Sequence, residues 1–572
     1  MDVLDWVVLA STLIFIVLYG VYKTQGSQNV EEYIRGGNSS KWWTVGLSVM
    51  ATQASAITFL STTGQGFYSG MGFVQFYFGL PIAMVIICLV FIPIYHKLKV
   101  YTAYEYLEGR FDLKTRSLAA ILFLIQRSLA AGITIYAPAI ILSAVLGWNL
   151  TMLNITIGLV VILYTVSGGT KAVSATQKQQ MAIIFIGMFI AFFLILDYLP
   201  EEVSFTDALT IAGAGERMNL LDFSFDLSNK YTVWTGVLGG TFLMLSYFGT
   251  DQSQVQRYLT GKNVREMRLG LIFNGLLKIP MQFFILLVGV MVFVFYQFNT
   301  TPANFNPLAK EAVYKSEYKE EYQSIEAKLA LNLKQRSEAA LQLTKNSHSD
   351  IALTQEKEHA TLVLLDKEDK ALRKQAKAII AKADSKVETN DKDYVFIHFI
   401  LNNLPKGLIG LLLAVILSAA MSSTASELNA LGATTAIDLY KRNVKGKDDA
   451  HYVQATKKFT LLWGVLAIIV ACTASLFENL IELVNIIGSI FYGNILGIFL
   501  LAFFFKYVKG TAVFIGALIT QMIIFVFYGL IHFEIIEFPY LWLNAIGSGL
   551  VILLAFILQS AIPPNQKENL QE

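Results

Sequence analysis

The chain has 572 residues, 55% hydrophobic and only 15% charged, and its 44 basic and 42 acidic side chains leave a net charge of +2. A soluble globular domain carries roughly 25% charged residues, and a disordered chain pairs low hydrophobicity with high net charge, so both classes are excluded. Two cysteines exclude a disulfide scaffold, and the balanced charge gives no reason to expect a nucleic-acid partner, which leaves a polytopic membrane protein.

A helix crossing a bilayer needs roughly 20 mostly apolar residues. In chain order such runs fall at 6–22, 43–69, 71–96, 117–146, 149–167, 176–199, 233–257, 269–296, 395–440, 457–476, 480–505, 510–530 and 539–560, thirteen in all. The first carries Asp2 and Asp5 where a signal peptide would carry basic residues, so it reads as a spanning helix. With the N-terminus outside, the inner segments collect Lys23, Arg35, Lys97, Arg110, Arg116, Lys178, Arg257, Arg268, Lys441, Arg442, Lys457, Lys506 and Lys567 among others. The short outer segments hold only Arg217 and Lys230. This inside-positive bias predicts an odd number of spans with the C-terminus cytoplasmic.

Residues 297–394 do not belong to the bilayer. They hold 16 basic and 16 acidic residues, and their Lys, Glu, Ala, Leu and Gln content favours helix. Two helices meeting near Asn346–Ser349 are expected, as a solvated hairpin in an outer loop or as a docking surface for an external protein.

Two spans are unusually polar. The second contains Thr52, Gln53, Ser55, Thr58 and Gln65, and the ninth contains Ser418, Ser422, Ser423, Thr424, Ser426, Glu427 and Asn429. Polar groups at membrane depth are costly and tend to face a bundle interior or an aqueous cavity. Transporters place ions and solutes at the midplane on interrupted helices, and sodium is a hard cation that takes carbonyl and hydroxyl oxygens. "MATQAS" facing "AAMSS" supplies both kinds of oxygen. Of the basic residues, Arg127, inside the fourth span, Lys278, inside the eighth, and Lys406, in a break in the ninth, are the only ones outside the inner segments, the short outer segments and the insert. No G-x-S-x-G, H-E-x-x-H, Walker A or G-x-G-x-x-G motif occurs, so no enzyme is expected.

Several segments resemble the sodium/solute symporters: "YTAYEYLEGRF" (101–111), "IYAPAIILSAVLG" (135–147), "LYTVSGGTKAV" (163–173), "LSYFGTDQSQVQRYL" (245–259) and "ATTAIDLYK" (433–441). The forms are most similar to the subgroup carrying monocarboxylates, vitamins and iodide. The resemblance implies an all-α polytopic membrane protein with a LeuT-like 5+5 inverted repeat and about 13 transmembrane helices. The expected organisation is a peripheral helix and inner loop (1–42), a first repeat (43–199), an outer loop (200–232), the start of a second repeat (233–296), the outer insert (297–394), the rest of that repeat (395–505), and two peripheral helices with a short cytoplasmic tail (506–572).

The resemblance also implies a sodium site on Ala51, Ala54, Ala419, Ser422 and Ser423. Where some members bind a second sodium through an Asp, this chain has Gln177, and a neighbouring hydroxyl position is Ala425, which argues against a second ion; Ser426 and Glu427 stand nearby. Sugar-contacting positions of a bacterial galactose member read Thr58, Tyr77, Leu80 and Met244, with only Lys278 and Tyr247 kept, which lowers the expectation of a hexose. The expected solute-lining residues are Gln53, Thr58, Gln75, Tyr247, Phe248, Asp251 and Lys278. Arg127, if it faces the cavity, favours an anion through charge-assisted hydrogen bonds. The reading is a sodium-coupled symporter importing a monocarboxylate, sugar-like or vitamin-like solute, in a bacterial inner membrane. A transporter-like sensor or envelope-complex component is the alternative, although the ending "IPPNQKENLQE" leaves no room for a signalling domain.

Overall fold

The computed structural model describes residues 2–23, 29–226, 228–347, 352–385, 387–473 and 480–561; the tail 562–572 and part of the expected hairpin joint at Asn346–Ser349 lie outside the described residues. Among the described residues the regular elements are helices. Nine are long and apolar enough to cross a membrane, and Val3–Ile16, Leu150–Leu163 and Thr235–Gly249 are shorter apolar helices.

The first span is α1 (Val3–Lys23). The second is broken into α2 (Trp42–Gln53) and α3 (Ala56–Ser69). After Gly70 (φ 74°) the chain turns back into α4 (80–98). Then follow α5 (Leu113–Leu146) and α6 (Leu150–Asp197), the latter interrupted at Gly169 (φ 56°). Asn154 donates to Ala471 O while Gln177 reaches Ser426 and Thr170 meets Asn429, so the two halves of α6 run in opposite directions and supply the fifth and sixth spans.

The seventh span is broken like the second. Its first half is α7 (Gly240–Gly249), and its second is α8 (Gln252–Tyr258). Next come α9 (Val264–Phe298), the insert helices α10 (Lys319–Ser347) and α11 (Ala352–Ala383), and α12 (Leu408–Thr434). The last four are α13 (Asp449–Thr473), α14 (Leu480–Phe504), α15 (Gly510–His532) and α16 (Trp542–Ala561).

Close packing at the centre rests on small residues. A Cβ added to Gly66 would lie 2.4 Å from Leu286 O, and one on Gly289 would lie 2.1 Å from Thr63 O, so α3 and α9 touch backbone to backbone. Helix α12 is buried on all sides from Leu412 to Thr434 and so forms the interior helix of the bundle. It starts later than expected: Val395–Asn403 is a separate helix, and Gly407 (φ 88°) breaks the ninth span. Asp5 of α1 explains where α12 begins. Its carboxylate accepts from Gly407 N at 2.6 Å and Gly410 N at 3.2 Å, capping orphan donors at a positive helix end. Replacing Asp5 by alanine is expected to lower stability by about 1–2 kcal/mol, measured by thermal unfolding in detergent.

The motifs "YEYLEGRF" and "AIDLYK" meet at the charge-rich end. Arg116 reaches Asp438 at 2.7 Å and Glu108 at 2.7 Å, and Arg442 also pairs with Glu108. Their conspicuous charges hold 101–116 against the end of the ninth span.

The insert is a helical hairpin with a small apolar core that includes Val313, Tyr322, Ile325, Leu329, Leu372 and Ile379. Arg217 of the bundle chelates Asp366 of α11 with two 3.1 Å bonds and docks it. The segment after α11 lies over α3: Lys392 O sits where a Cβ on Gly64 would stand, and Asp393 accepts from Leu480 N at 3.1 Å. Burial, with Asp391 and Asp393 beside it, pushes the Glu388 carboxyl up to about 8, and burial pushes Asp393 up to about 6. Carboxyls raised on folding favour the packed form while protonated, so that contribution is lost as pH rises through about 6 and then about 8. Amide exchange at 387–394 is therefore expected to accelerate, relative to the rest of the insert, from pH 5 to pH 9. Glu388→Gln should flatten the upper part of that rise.

Candidate functional site

The two helix breaks create the site. Helix α2 ends at Gln53, and Ala54 leaves helical geometry at φ −80°, ψ 67°, so carbonyls of its last turn lose their ladder partners. In the seventh span Asp251 is extended (φ −76°, ψ 118°), and its carboxylate caps α8 through Ser253 N at 2.9 Å. Exposed backbone polar groups at two interrupted helices are the usual setting for midplane ion and solute sites.

A cavity of about 110 Å³ lies between these breaks, α9, α12 and α14. Of the expected solute-lining residues, Gln53, Thr58, Tyr247 and Lys278 line it, and so do Arg127, Ser423 and Glu427. Thr58 donates to Gln53 O at 2.9 Å across the break, and Gln53 donates to Asn274 at 3.1 Å. Tyr247 accepts from Gln254 at 2.6 Å. Phe248 is fully buried and meets the Tyr247 ring edge-on at 5.0 Å. Gln75 stands apart from the cavity: it donates to Tyr231 O at 2.9 Å and accepts from Asp222 N, holding the 220–231 loop.

The charges are arranged around Arg127. Its guanidinium pairs with Asp251, with Glu427 at 3.0 Å, and with the Tyr492 hydroxyl at 2.5 Å; Tyr492 in turn donates to Asp251 at 2.9 Å. All are buried, so the charge of Arg127 is already matched by two carboxylates. Lys278 does not pair with Asp251. Among the described residues no ion-pair or hydrogen-bond partner reaches its ammonium, and the Tyr77 ring is 5.9 Å away. Glu427 Oε2 has no hydrogen-bond partner. Tyr492 was not anticipated: an interior tyrosine in an apolar run carries no mark in a single sequence.

The oxygen cluster adjoins the cavity. Ser422 Oγ lies 3.3 Å from Ala51 O, which brings the second and ninth spans together, and the buried Ser423 Oγ has no hydrogen-bond partner. Ala51, Ala54 and Ala419 are fully buried beside them. A carbonyl, an unpaired hydroxyl and a second hydroxyl in one dry place suit a desolvated hard cation. Gln177 and Ser426 form a neighbouring cluster, joined to the first where Ser426 donates to Ser422 O at 3.1 Å. The Gln177 amide accepts from Ser48 at 2.5 Å and donates to Thr52 at 3.2 Å and Ser426 at 3.0 Å.

Similarity to known proteins agrees with this geometry. The sequence model of the Sodium:solute symporter family matches residues 33–333 and 375–523, so the unmatched gap falls in the insert. The chain is 27% identical over 517 residues to sodium-coupled monocarboxylate transporter 1 of Xenopus laevis, covering 90% of this chain and 70% of that protein. It is 31% identical over 310 residues to the sodium/sialic acid symporter SiaT of Proteus mirabilis, covering 53% and 61% respectively. With the human sodium/iodide cotransporter it shares 33% identity over 275 residues, 47% of this chain and 42% of that one. A solved Na+-coupled sialic acid symporter, in a substrate-bound outward-open state, has the same fold, with a TM-score of 0.74 at 22% identity over 98% of this chain and 99% of that one. The chain is thus an integral membrane transporter and not an enzyme, a member of the sodium:solute symporter family with its LeuT-like architecture.

Proposed function

We propose that the protein imports a small organic anion together with one sodium ion by alternating access, with its N-terminus outside and its C-terminus in the cytoplasm of a bacterial cell. The observation that carries this reading is the juxtaposition of the Ala51–Ser422–Ser423 oxygen cluster with a cavity that is also lined by Lys278, free of any carboxylate among the described residues. Sodium would take Ala51 O, Ala54 O, Ala419 O and the Ser422 and Ser423 hydroxyls. Binding there ties α2 to α12 and so favours the conformation that admits solute.

The anion is assigned to Lys278 rather than to Arg127, because Arg127 is already spent on Asp251 and Glu427. A buried ammonium with no counter-ion is costly until an anion arrives, which makes an anionic solute the better partner. The cavity is small beside the roughly 300–1,000 Å³ of sites for drug-sized ligands, which favours a monocarboxylate-sized solute over a sialic acid. The monocarboxylate and sialic acid transporters among the relatives are both carriers of carboxylates by name. A single sodium is expected because Gln177 offers an amide already committed to Thr52 and Ser426. One Na+ with one monovalent anion moves no net charge, so the sodium gradient, not the membrane voltage of about 2.3 kcal/mol per 100 mV, would drive uptake.

The test is a thermal-shift screen of the purified protein against acetate, propionate, lactate, pyruvate, nicotinate, glucose and galactose, each in sodium and in potassium. The expected result is stabilisation by one or more monocarboxylates in sodium only, lost in Lys278→Met. Stabilisation by a neutral sugar, or equal shifts in potassium, would overturn the reading.

A further inference from the structure

A second cavity, of about 220 Å³, lies between the insert and the bundle. The bundle contributes Phe67 and Tyr68 from the end of α3, Arg217, and Phe293 and Tyr296 from the end of α9; the insert contributes Arg336 of α10 and Asp366, Asp369, Lys370, Arg373, Lys374 and Lys377 of α11. These are the far ends of the same helices that carry Thr58 and Lys278, so this cavity is separate from the central one.

Its charge does not balance. Arg217, Arg336 and Arg373 are 4–5% exposed and share two carboxylates. Asp366 takes Arg217 and, at 2.8 Å, Lys370; Asp369 takes Arg336 at 3.1 Å and Arg373 at 2.8 Å. Lys377 leans on Asp391 at 2.9 Å, and Lys374 has no ion-pair partner among the described residues. Six cations therefore face three carboxylates. Arg336 Nε is buried and has no acceptor at all. Arg217 lies over the Phe293 ring at 4.3 Å and gives its donors to Phe67 O, Gly215 O and Asp366, and Arg373 gives its own to Asp369, Thr301 and Pro302 O, so the donors left for a ligand are those of Arg336, Lys370, Lys374 and Lys377. Uncompensated positive charge favours an anion, and the convergence of Arg336 with three lysines favours one with more than one charged oxygen.

We infer that this cavity is a binding site for a small soluble oxyanion with two or more negatively charged oxygens, such as sulfate, phosphate or a short dicarboxylate, which bridges the insert to the ends of α3 and α9. The soluble source is chosen because half of the lining belongs to insert helices whose sequence is unsuited to a bilayer. The inference stands on these residues alone and does not depend on which solute is transported.

The test uses full-length protein in lipid-free detergent micelles at fixed sodium and fixed ionic strength. Sodium sulfate and sodium succinate are titrated against a sodium chloride background, with thermal shift and isothermal titration calorimetry as readouts. Saturable binding of sulfate or succinate is expected, at least tenfold weaker in Lys370→Gln/Lys374→Gln, whose side chains are on the rim, and abolished in Arg336→Gln. Lys278→Met should bind as the unmodified protein does, which separates this site from the central cavity. Sulfate or succinate acting no better than chloride, or binding unchanged in Lys370→Gln/Lys374→Gln, overturns the inference whether or not Arg336→Gln folds. Displacement of bound sulfate by phosphatidylglycerol micelles would overturn the soluble source.

Discussion

Arg127→Met is expected to abolish transport and to destabilise the protein by about 3–5 kcal/mol, because removing one member of a buried ion cluster leaves its partners uncompensated. Asp251 and Glu427 would then stand close together without a counter-charge, and the Tyr492 hydroxyl would lose one of its two partners. Asp251 matters beyond its charge, since it caps α8 and so defines the second helix break. Lysine should not substitute, because one ammonium on a flexible stem cannot hold the planar fork that reaches Asp251, Glu427 and Tyr492 together. Adding Glu427→Gln to Arg127→Met removes one orphaned charge and should recover part of the stability but not the transport. Thermal unfolding and uptake, measured on the same preparations, check this. An Arg127→Met protein with unchanged melting and uptake would show that the cluster is neither structural nor functional.

The second large effect is expected for Ser422→Ala/Ser423→Ala. Both hydroxyls lie where α12 meets the end of α2, and neither is needed for the helix ladder. Their loss should raise the sodium concentration for half-maximal effect roughly tenfold or more, equivalent to about 1.4 kcal/mol of binding free energy per tenfold. Folding should suffer little, because Ser423 Oγ makes no hydrogen bond to lose and Ser422 Oγ loses only its 3.3 Å bond to Ala51 O, worth about 1 kcal/mol. Gln177→Ala is the contrast. It breaks bonds to Ser48, Thr52 and Ser426, so it should lower stability while leaving the sodium half-saturation within about threefold, since no ion is assigned there.

Much of this architecture is readable from the sequence because hydropathy is local. The apolar runs are helical, although those of the second, seventh and ninth spans are each broken in two, and the polar residues of the second and ninth spans marked an interior pair. The break in the second span was expected at "MATQAS", but its partner was sought at "AAMSS" in the ninth span, where the helix is continuous, and the second break lies at Asp251 in the seventh. What could not be read are the partners. Arg127 meets Asp251 and Glu427 from 124 and 300 residues away, and no periodicity connects such positions. The same holds for Arg217 and Asp366, 149 residues apart, which decide how the insert sits. Gln75 shows the opposite error of scale. A polar side chain in a nominal span suggested solute contact, yet its amide is used to anchor the loop that carries Asp222 and Tyr231. Lys278 gained meaning only when the structure gave Asp251 to Arg127 instead.

The most direct measurement of the central claim is uptake of radiolabelled monocarboxylate into proteoliposomes under an inward sodium gradient, with and without a clamped membrane voltage. The account predicts accumulation that requires sodium, ignores the voltage because charge moves in balance, and shifts to higher sodium in Ser422→Ala/Ser423→Ala. Uptake that proceeds equally in potassium, or whose sodium dependence is unchanged in that variant, would contradict it.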